Sequence, residues 1–282
     1  MSTWFIILLA AIVVGAITVL LFFAIFDGDD TSFHKPKHRR GEYINDQTAV
    51  IVHSIKETED SAKAYQLFAE YILSNHRLFL SFVRSRIRDI QEAYAARDYV
   101  RLREDIEKTK DMKVELKDQV ITQQECLKSI DTSHYIETAV WINIANNTRF
   151  DVNRNLRRLA EVCIHYDESY DCPFPTEYVE LIDLMIEDIC NFCSEAIDLI
   201  NSGDDEGMRE IRTRITAVMT DSFDNTSRLY DLIHDGRNTL DEGKSIALRY
   251  VLNAFQECYC IVYGLRRIVL CNRSIIASLH NQ

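Results

Sequence analysis

The sequence is poor in the two residues that interrupt helices. It contains three Pro and eight Gly among 282 residues, whereas ordinary proteins carry roughly 5% Pro and 7% Gly. Most of these residues fall in polar stretches, and only Gly264 lies inside a long apolar pattern after the N-terminal region. A chain with so few breakers is expected to be all-α.

An excess of positive charge is also missing. The chain has 32 Lys and Arg against 44 Asp and Glu, a net charge of −12. Nucleic-acid binding needs a basic face, so we expect no nucleic-acid partner.

Sequence motifs of enzymes are missing as well: Gly-x-Gly-x-x-Gly, His-Glu-x-x-His and Gly-x-Ser-x-Gly do not occur. Residues 236–245, GRNTLDEGKS, are similar to a phosphate-binding loop. That loop has four residues between its first Gly and Gly-Lys-Ser/Thr and follows a strand. Here six residues intervene after a helical pattern, so we interpret the stretch as a turn between helices. We predict that the protein is not an enzyme.

One long apolar run is present near the N-terminus. Residues 4–26 read WFIILLAAIVVGAITVLLFFAIF without a charged side chain, and about 20 such residues span a bilayer as a helix. A cleaved signal peptide is the alternative, but it begins with basic residues and has a shorter apolar stretch. Four basic residues follow the run: Lys35, Lys37, Arg39 and Arg40. The positive-inside rule then predicts a single-pass protein with its soluble domain in the cytoplasm.

Most of the eight cysteines lie in apolar helical patterns. They are Cys126, Cys163, Cys172, Cys190, Cys193, Cys258, Cys260 and Cys271. We favour buried free thiols in a reducing compartment over the disulfides of an exported protein. Cys190 and Cys193 have the spacing of half a zinc site, but Cys258 and Cys260 point apart on a helix and cannot complete it. We therefore predict no metal and no cofactor.

Helical periodicity divides the rest of the chain into three long helices before the polar loop YDESYDCPFPTEY and three after it. Two patterns recur at nearly the same offset. A Leu-Arg-Arg-aliphatic run starts at Leu156 and again at Leu265, and the related stretches DYVRLRE and DDEGMRE start at Asp98 and Asp204. Two ordered matches predict a duplicated unit of three antiparallel helices.

This periodicity predicts four parts of the chain. They are a transmembrane anchor at 1–27, a charged linker at 28–45, and three-helix bundles at 46–172 and 173–282.

The layout resembles the PhoU-like family, and more closely the cytoplasmic C-terminal domain of PiT-type bacterial inorganic phosphate transporters. Residues 129–162, SIDTSHYIETAVWINIANNTRFDVNRNLRRLAEV, carry most of the resemblance. They look like the family's third helix, which opens with a Gly/Ser-His-Tyr-like start and has a Leu-x-Arg-hydrophobic-Ala-acid core.

The resemblance, over about 46–278 and the preceding span, implies two tandem cytoplasmic bundles that one span anchors in the inner (plasma) membrane of a bacterium. It also implies a role in phosphate transmembrane transport. One membrane span is too few for a transport path, which needs many helices around a central site. The chain is therefore expected to belong to or regulate a transporter by protein–protein contact. The implied partner is a multi-span phosphate transporter or a second copy of the chain.

The acidic pairs that bind metal clusters in PhoU proteins are changed here. Arg157 stands at the first acid position of the first repeat, and the second repeat, LRRIVL from Leu265, has neither acid. Metal ions need several carboxylate or imidazole ligands, so we expect no such cluster.

Four arginines related by the repeat are the candidate site residues: Arg157, Arg158, Arg266 and Arg267. Arg suits recognition of phosphate and carboxylate, so they are candidate anion or partner contacts. Surface salt bridges beside a core stripe are the alternative interpretation, which we favour. The alternative function is that of a membrane-tethered helical scaffold, which binds an unrelated protein through exposed apolar helix faces.

Overall fold

Seven α-helices make up almost all of the part of the chain that the structure, a computed structural model, describes: residues 46–128, 130, 132–170, 174, 176–236 and 242–280. They are α1 (Asp46–Glu57), α2 (Ser61–Ala95), α3 (Tyr99–Leu127), α4 (Thr132–Tyr170), α5 (Thr176–Ser202), α6 (Asp205–Gly236) and α7 (Glu242–His280). No strand occurs in these residues, so the predicted all-α class is confirmed for them.

Three aspartates explain where helices begin. The carboxylate of Asp60 accepts from the backbone N–H of Ala62 at 3.0 Å and caps α2. Asp98 accepts from Arg101 N–H at 3.0 Å at the start of α3, and Asp204 from Gly207 N–H at 2.9 Å at the start of α6. Each cap satisfies a backbone donor that lacks a partner within the helix.

The structure adds one helix to those predicted from the sequence, and it does not cover the predicted membrane span. α1 was not predicted as a helix, because its 12 residues are too short to show a clear period, yet Ile55 is fully buried against the core. Within the described ranges no helix is long and apolar enough to cross a membrane. The predicted span at 4–26 and the linker lie outside the described residues.

The helices pack as two sets that face each other. α2, α3 and α4 contact one another, and so do α5, α6 and α7. Between the sets, α4 packs along α7 more extensively than any other pair of described helices, and α2 packs along α5. The helices that face each other are therefore those that hold equivalent places in the two sets. The division at 172/173 into two bundles stays a prediction.

α4 and α7 approach closely at Gly264 of α7. A Cβ added there would clash with Cγ2 of Val152 on α4 and would lie 3.5 Å from Cγ2 of Thr148. The absence of a side chain at Gly264 therefore permits this contact, which explains a glycine inside a long apolar helix.

The connection between α4 and α5 is held by Phe174. Its ring is 4.9 Å from the Tyr94 ring and 4.3 Å from the Tyr166 ring, measured between centroids. The backbone N–H of Phe174 also donates to the Tyr94 hydroxyl at 2.8 Å. Only 4% of Phe174 is exposed, so the connection is anchored in the core.

Three hydrogen bonds between side chains join α2 to α5, and we call them the polar rungs. Arg77 donates to Asn201 at 2.6 Å, and Arg84 donates to Ser194 at 2.9 Å. Gln91 donates to Asp183 at 2.7 Å. The three donors are seven residues apart on α2, and their acceptors run in the opposite direction along α5. The two helices are therefore antiparallel, as in a coiled-coil seam.

Candidate functional site

The two candidate arginines of the first repeat lie on α4. Arg157 is partly exposed and its Nε is 3.4 Å from Oε1 of Glu161, one turn further along. Arg158 is exposed, and its charge acts on Glu257 of α7, whose pKa is raised mainly by burial. Arg157 thus forms an ion pair along its own helix, whereas Arg158 acts on an acidic neighbour through its charge.

The two candidates of the second repeat lie on α7 and have different neighbours. Nε of Arg266 donates to the Thr216 hydroxyl of α6 at 2.8 Å. The guanidinium of Arg267 lies 5.8 Å from the centre of the Tyr263 ring on the same helix, within the range of a cation–π contact. The contacts of the described residues do not bring the four arginines together, and their role as anion or partner contacts stays a prediction.

The described cysteines are free thiols. Those that are buried are Cys126, Cys163, Cys190, Cys193, Cys258 and Cys271, while Cys260 is exposed. Burial raises the pKa of Cys163 to about 12 and also raises the pKa of Cys193. Among the residues that the structure describes, no group of His, Cys, Asp and Glu is placed to hold a metal ion. Cys172 lies outside the described residues.

A cluster of buried polar side chains lies where α2, α3, α4 and α7 meet, and we call it the polar layer. All of its members are polar side chains buried in an otherwise apolar core. They are Asn75, His76, Gln119, Gln123, Asn146, Arg149 and Asn272. None of them was a candidate from the sequence.

Hydrogen bonds centred on Arg149 connect the α3 and α4 members of the polar layer. Arg149 donates from Nη1 to Oε1 of Gln119 at 2.6 Å and from Nη2 to Oδ1 of Asn146 at 2.5 Å. Asn146 in turn donates to Oε1 of Gln123 at 2.7 Å. Gln119 donates to Oε1 of Glu115, at the partly exposed edge of α3, at 3.1 Å. The guanidinium is thus held by neutral amides.

The α2 and α7 members meet at His76. Its Nδ1 is 2.5 Å from Oδ1 of Asn272. Burial, and then the charge of Arg149, lower the pKa of His76 from 6.5 to about 3. At neutral pH the ring is uncharged, so its Nδ1–H donates to the amide oxygen of Asn272.

The electrostatics of Arg149 are unusual for a buried cation. No carboxylate of a described residue forms an ion pair with it, and burial lowers its pKa from 12.5 to about 10. The group therefore keeps its charge at neutral pH. A buried charge is costly unless it is paired and hydrogen-bonded. Here the amide oxygens of Gln119 and Asn146 accept from the guanidinium, and the charge of Glu115 acts on it from further away.

A signal for the polar layer exists in the sequence, although it is weak. In NIANNTRFDVN, Arg149 follows Asn146 by one helical turn and precedes Asn153 by another, on the buried side of α4. The partners on α2, α3 and α7 could not be read from spacing, because they depend on which helices pack together.

Two cavities accompany these groups. A surface groove of about 540 Å³ lies beside the polar rungs, where α5 supplies Glu180, Asp183 and Glu187. A smaller cavity of about 40 Å³ lies between α3 and α4 and reaches the polar layer at Gln123 and Asn146.

No family model, no curated protein and no solved structure matches this chain.

Proposed function

We propose that the chain is a PhoU-like helical module, anchored in the bacterial inner membrane by residues 4–26, that belongs to or regulates an inorganic phosphate transporter by protein–protein contact. In this proposal, α2–α4 and α5–α7 are two tandem antiparallel three-helix bundles. The observation that carries it is the pairing of equivalent helices between the two sets, α2 with α5 and α4 with α7. A duplicated unit related by approximate two-fold symmetry packs in this way.

Exposed apolar side chains on α3 supply a surface for a partner. Val100, Val114 and Ile121 are all more than half exposed, and their spacing in multiples of seven residues places them near one side of the helix. Helix faces of this kind dock against other helices. The activity proposed is therefore binding and conformational coupling.

The test combines crosslinking with transport in a cell that produces the full chain. A photo-crosslinking amino acid at Val114 or Ile121 should capture a multi-span membrane protein, and the same label at Thr213, exposed on α6, is the matched control. Deleting the chain should change the uptake of labelled phosphate, and restoring it should reverse the change.

Two outcomes would count against this function. Unchanged phosphate uptake after deletion would remove the link with transport. Capture of a soluble protein at α3, without a membrane partner, would favour the tethered scaffold instead.

A further inference from the structure

The exposed side of α3 carries three rows of side chains, and the residues of each row are seven positions apart. The apolar row consists of Val100, Val114 and Ile121, with the exposed Glu107 at the position between the first two. The basic row consists of Arg103, Lys110 and Lys117, all exposed. The acidic row consists of Glu104, Asp111, Asp118 and Glu125, all exposed.

The apolar row lies between the two charged rows. Successive residues of an α-helix are rotated by about 100°. Each basic residue follows a position of the apolar row by three residues, so it lies about 60° to one side of that row. Each acidic residue follows by four and lies about 40° to the other side. The helix therefore presents an apolar strip with positive charge along one edge and negative charge along the other.

The chain itself pairs few of these charges. Arg103 forms an ion pair with Glu168 of α4 at 3.1 Å, and both side chains are more than half exposed. Lys110 pairs with Glu107, inside the apolar row, at 2.8 Å. Within the described ranges, Asp118 and Lys117 form no ion pair. Both edges of the strip thus keep charge that a partner could use.

Two copies of α3 can face each other about a two-fold axis in two directions. If the axis runs along the helices, the helices are parallel, and the basic row of each copy lies beside the acidic row of the other. If the axis is perpendicular to the helices, they are antiparallel, and rows of like charge lie together. Complementary charges favour one arrangement and like charges suppress the other, so the strip matches itself only in the parallel direction.

From this pattern we infer that, in the chain without its partner, the strip on α3 is covered by the α3 strip of a second copy, parallel and in register. Equivalent residues of the apolar row then meet across the axis. Exposed ion pairs contribute little individually, so the charged rows determine the direction and the apolar row supplies the contact.

Glu107 fits the same register. The two copies of Glu107 lie at one height across the axis, and each already contacts the Lys110 of its own helix at 2.8 Å. Those lysines supply the counter-charge for both carboxylates. A polar residue at one such position lowers the stability of a helix pair but fixes its register.

Self-pairing would regulate the surface that the proposed function gives to a partner. A second copy and the partner cover the same strip, so each must displace the other. This regulatory role rests on the proposed function, whereas the pairing of two copies does not.

The experiment crosslinks the full chain, purified in detergent, with Cys172 and Cys260 replaced by Ser. A short bismaleimide should join Ile121→Cys to Ile121→Cys, and Val100→Cys to Val100→Cys. Mixed chains should give at least tenfold less product between Val100→Cys and Ile121→Cys, because 21 residues separate these positions by roughly 30 Å in a parallel pair. The matched control is Thr213→Cys, exposed on α6, which should give no product.

Charge reversal then tests the two charged rows in the Ile121→Cys chain. One variant carries Arg103→Glu, Lys110→Glu and Lys117→Glu, and the other carries Glu104→Lys, Asp111→Lys and Asp118→Lys. Each alone should give at least fivefold less product, because both of its edges have the same sign. An equal mixture should restore the product, since each variant then meets edges of opposite charge.

A third variant controls for net charge. Lys63→Glu, Arg88→Glu and Arg209→Glu change the charge of exposed positions on α2 and α6 by the same amount. This variant should crosslink through Ile121→Cys as the parent does.

The inference is overturned if Ile121→Cys gives no product, or if Val100→Cys joins Ile121→Cys as readily as each joins itself. It is also overturned if the two reversed variants fail to restore each other, or if the net-charge control loses as much product as they do. Unchanged phosphate uptake after deletion of the chain would remove the proposed function and leave these outcomes as they are, so the two proposals fail separately.

Discussion

At the scale of single residues, two basic groups with strongly shifted pKa values are buried together. His76 and Arg149 both have lowered pKa values, the first near 3 and the second near 10, and in both burial is the main cause. At neutral pH this leaves one neutral ring and one cation in the same polar layer. The two groups therefore respond differently to acid.

His76 should make the protein sensitive to acid. In the unfolded chain the ring takes up a proton near its ordinary pKa of 6.5, whereas in the folded chain it does so only near 3. The contribution of His76 to the stability of the folded state is therefore fully present above pH 6.5. It falls as the pH drops from 6.5 toward 3, by roughly 1.4 kcal/mol per pH unit at most. His76→Gln should reduce this slope by up to about 1.4 kcal/mol per pH unit, because it removes the one proton that the unfolded chain takes up at His76.

The measurement is the free energy of unfolding by urea between pH 7 and pH 4.5. His53→Gln is the matched control, because His53 is exposed on α1. The same slope in His76→Gln and in the parent would contradict the prediction.

The cysteines should react in two groups. Cys260 is exposed, whereas the six other described thiols are buried. Burial raises the pKa of Cys258 and Cys271 and also that of Cys260, so access to the sulfur separates the two groups. Because a reagent must reach the sulfur before the thiolate can react, a maleimide should label Cys260 before the other described cysteines in the folded chain. Peptide mass mapping over time checks this, with Cys260→Ser as control. Labelling of Cys193 before Cys260 would show that the core opens readily.

At the scale of helices, the long elements were largely predictable and their partners were not. α3 and α6 begin directly after Asp98 and Asp204, the first residues of the two related stretches, because an Asp side chain caps backbone N–H groups within three residues of itself. The short α1 was missed because its amphipathic pattern covers too few turns. The polar layer was missed for another reason. Its members come from four helices, and which of them are neighbours depends on how those helices pack.

The contact of α4 with α7 should be intolerant of a side chain at Gly264. Gly264→Ala should destabilise the protein by about 1–3 kcal/mol, because overpacking against Val152 outweighs the gain of roughly 1 kcal/mol in helix propensity. In a Val152→Ala background the same change should be neutral or stabilising. Urea unfolding of all four proteins measures this coupling, and additive effects would show that the two residues do not touch.

At the scale of the whole molecule, the described helices share one core. The buried apolar cluster includes residues of all seven helices, and the two sets meet along α2–α5 and α4–α7. A change in one set should therefore affect the stability of the other.

Unfolding should accordingly be a single transition. The fluorescence of Trp141 on α4 follows the unfolding of the set α2–α4, provided that Trp4 is replaced by Phe. Ile211→Ala on α6 removes a buried side chain and should cost about 2–5 kcal/mol. It should lower the midpoint seen by Trp141 fluorescence as much as the midpoint seen by circular dichroism. Leu184→Ala, at an exposed position, should leave both midpoints in place, and a Trp141 midpoint unmoved by Ile211→Ala would mean that the sets unfold independently.

The polar rungs between α2 and α5 restrict how this pair can move. A slide of one or two residues would separate Arg77, Arg84 and Gln91 from their acceptors together. A slide of seven residues would place Arg84 opposite Asn201 and Gln91 opposite Ser194, so two donors of α2 would again face acceptors of α5. With a rise of about 1.5 Å per residue, these two alignments are roughly 10 Å apart. The polar rungs therefore favour alignments that differ by seven residues over those in between, so a small slide of α2 along α5 loses hydrogen bonds that a longer slide would partly restore.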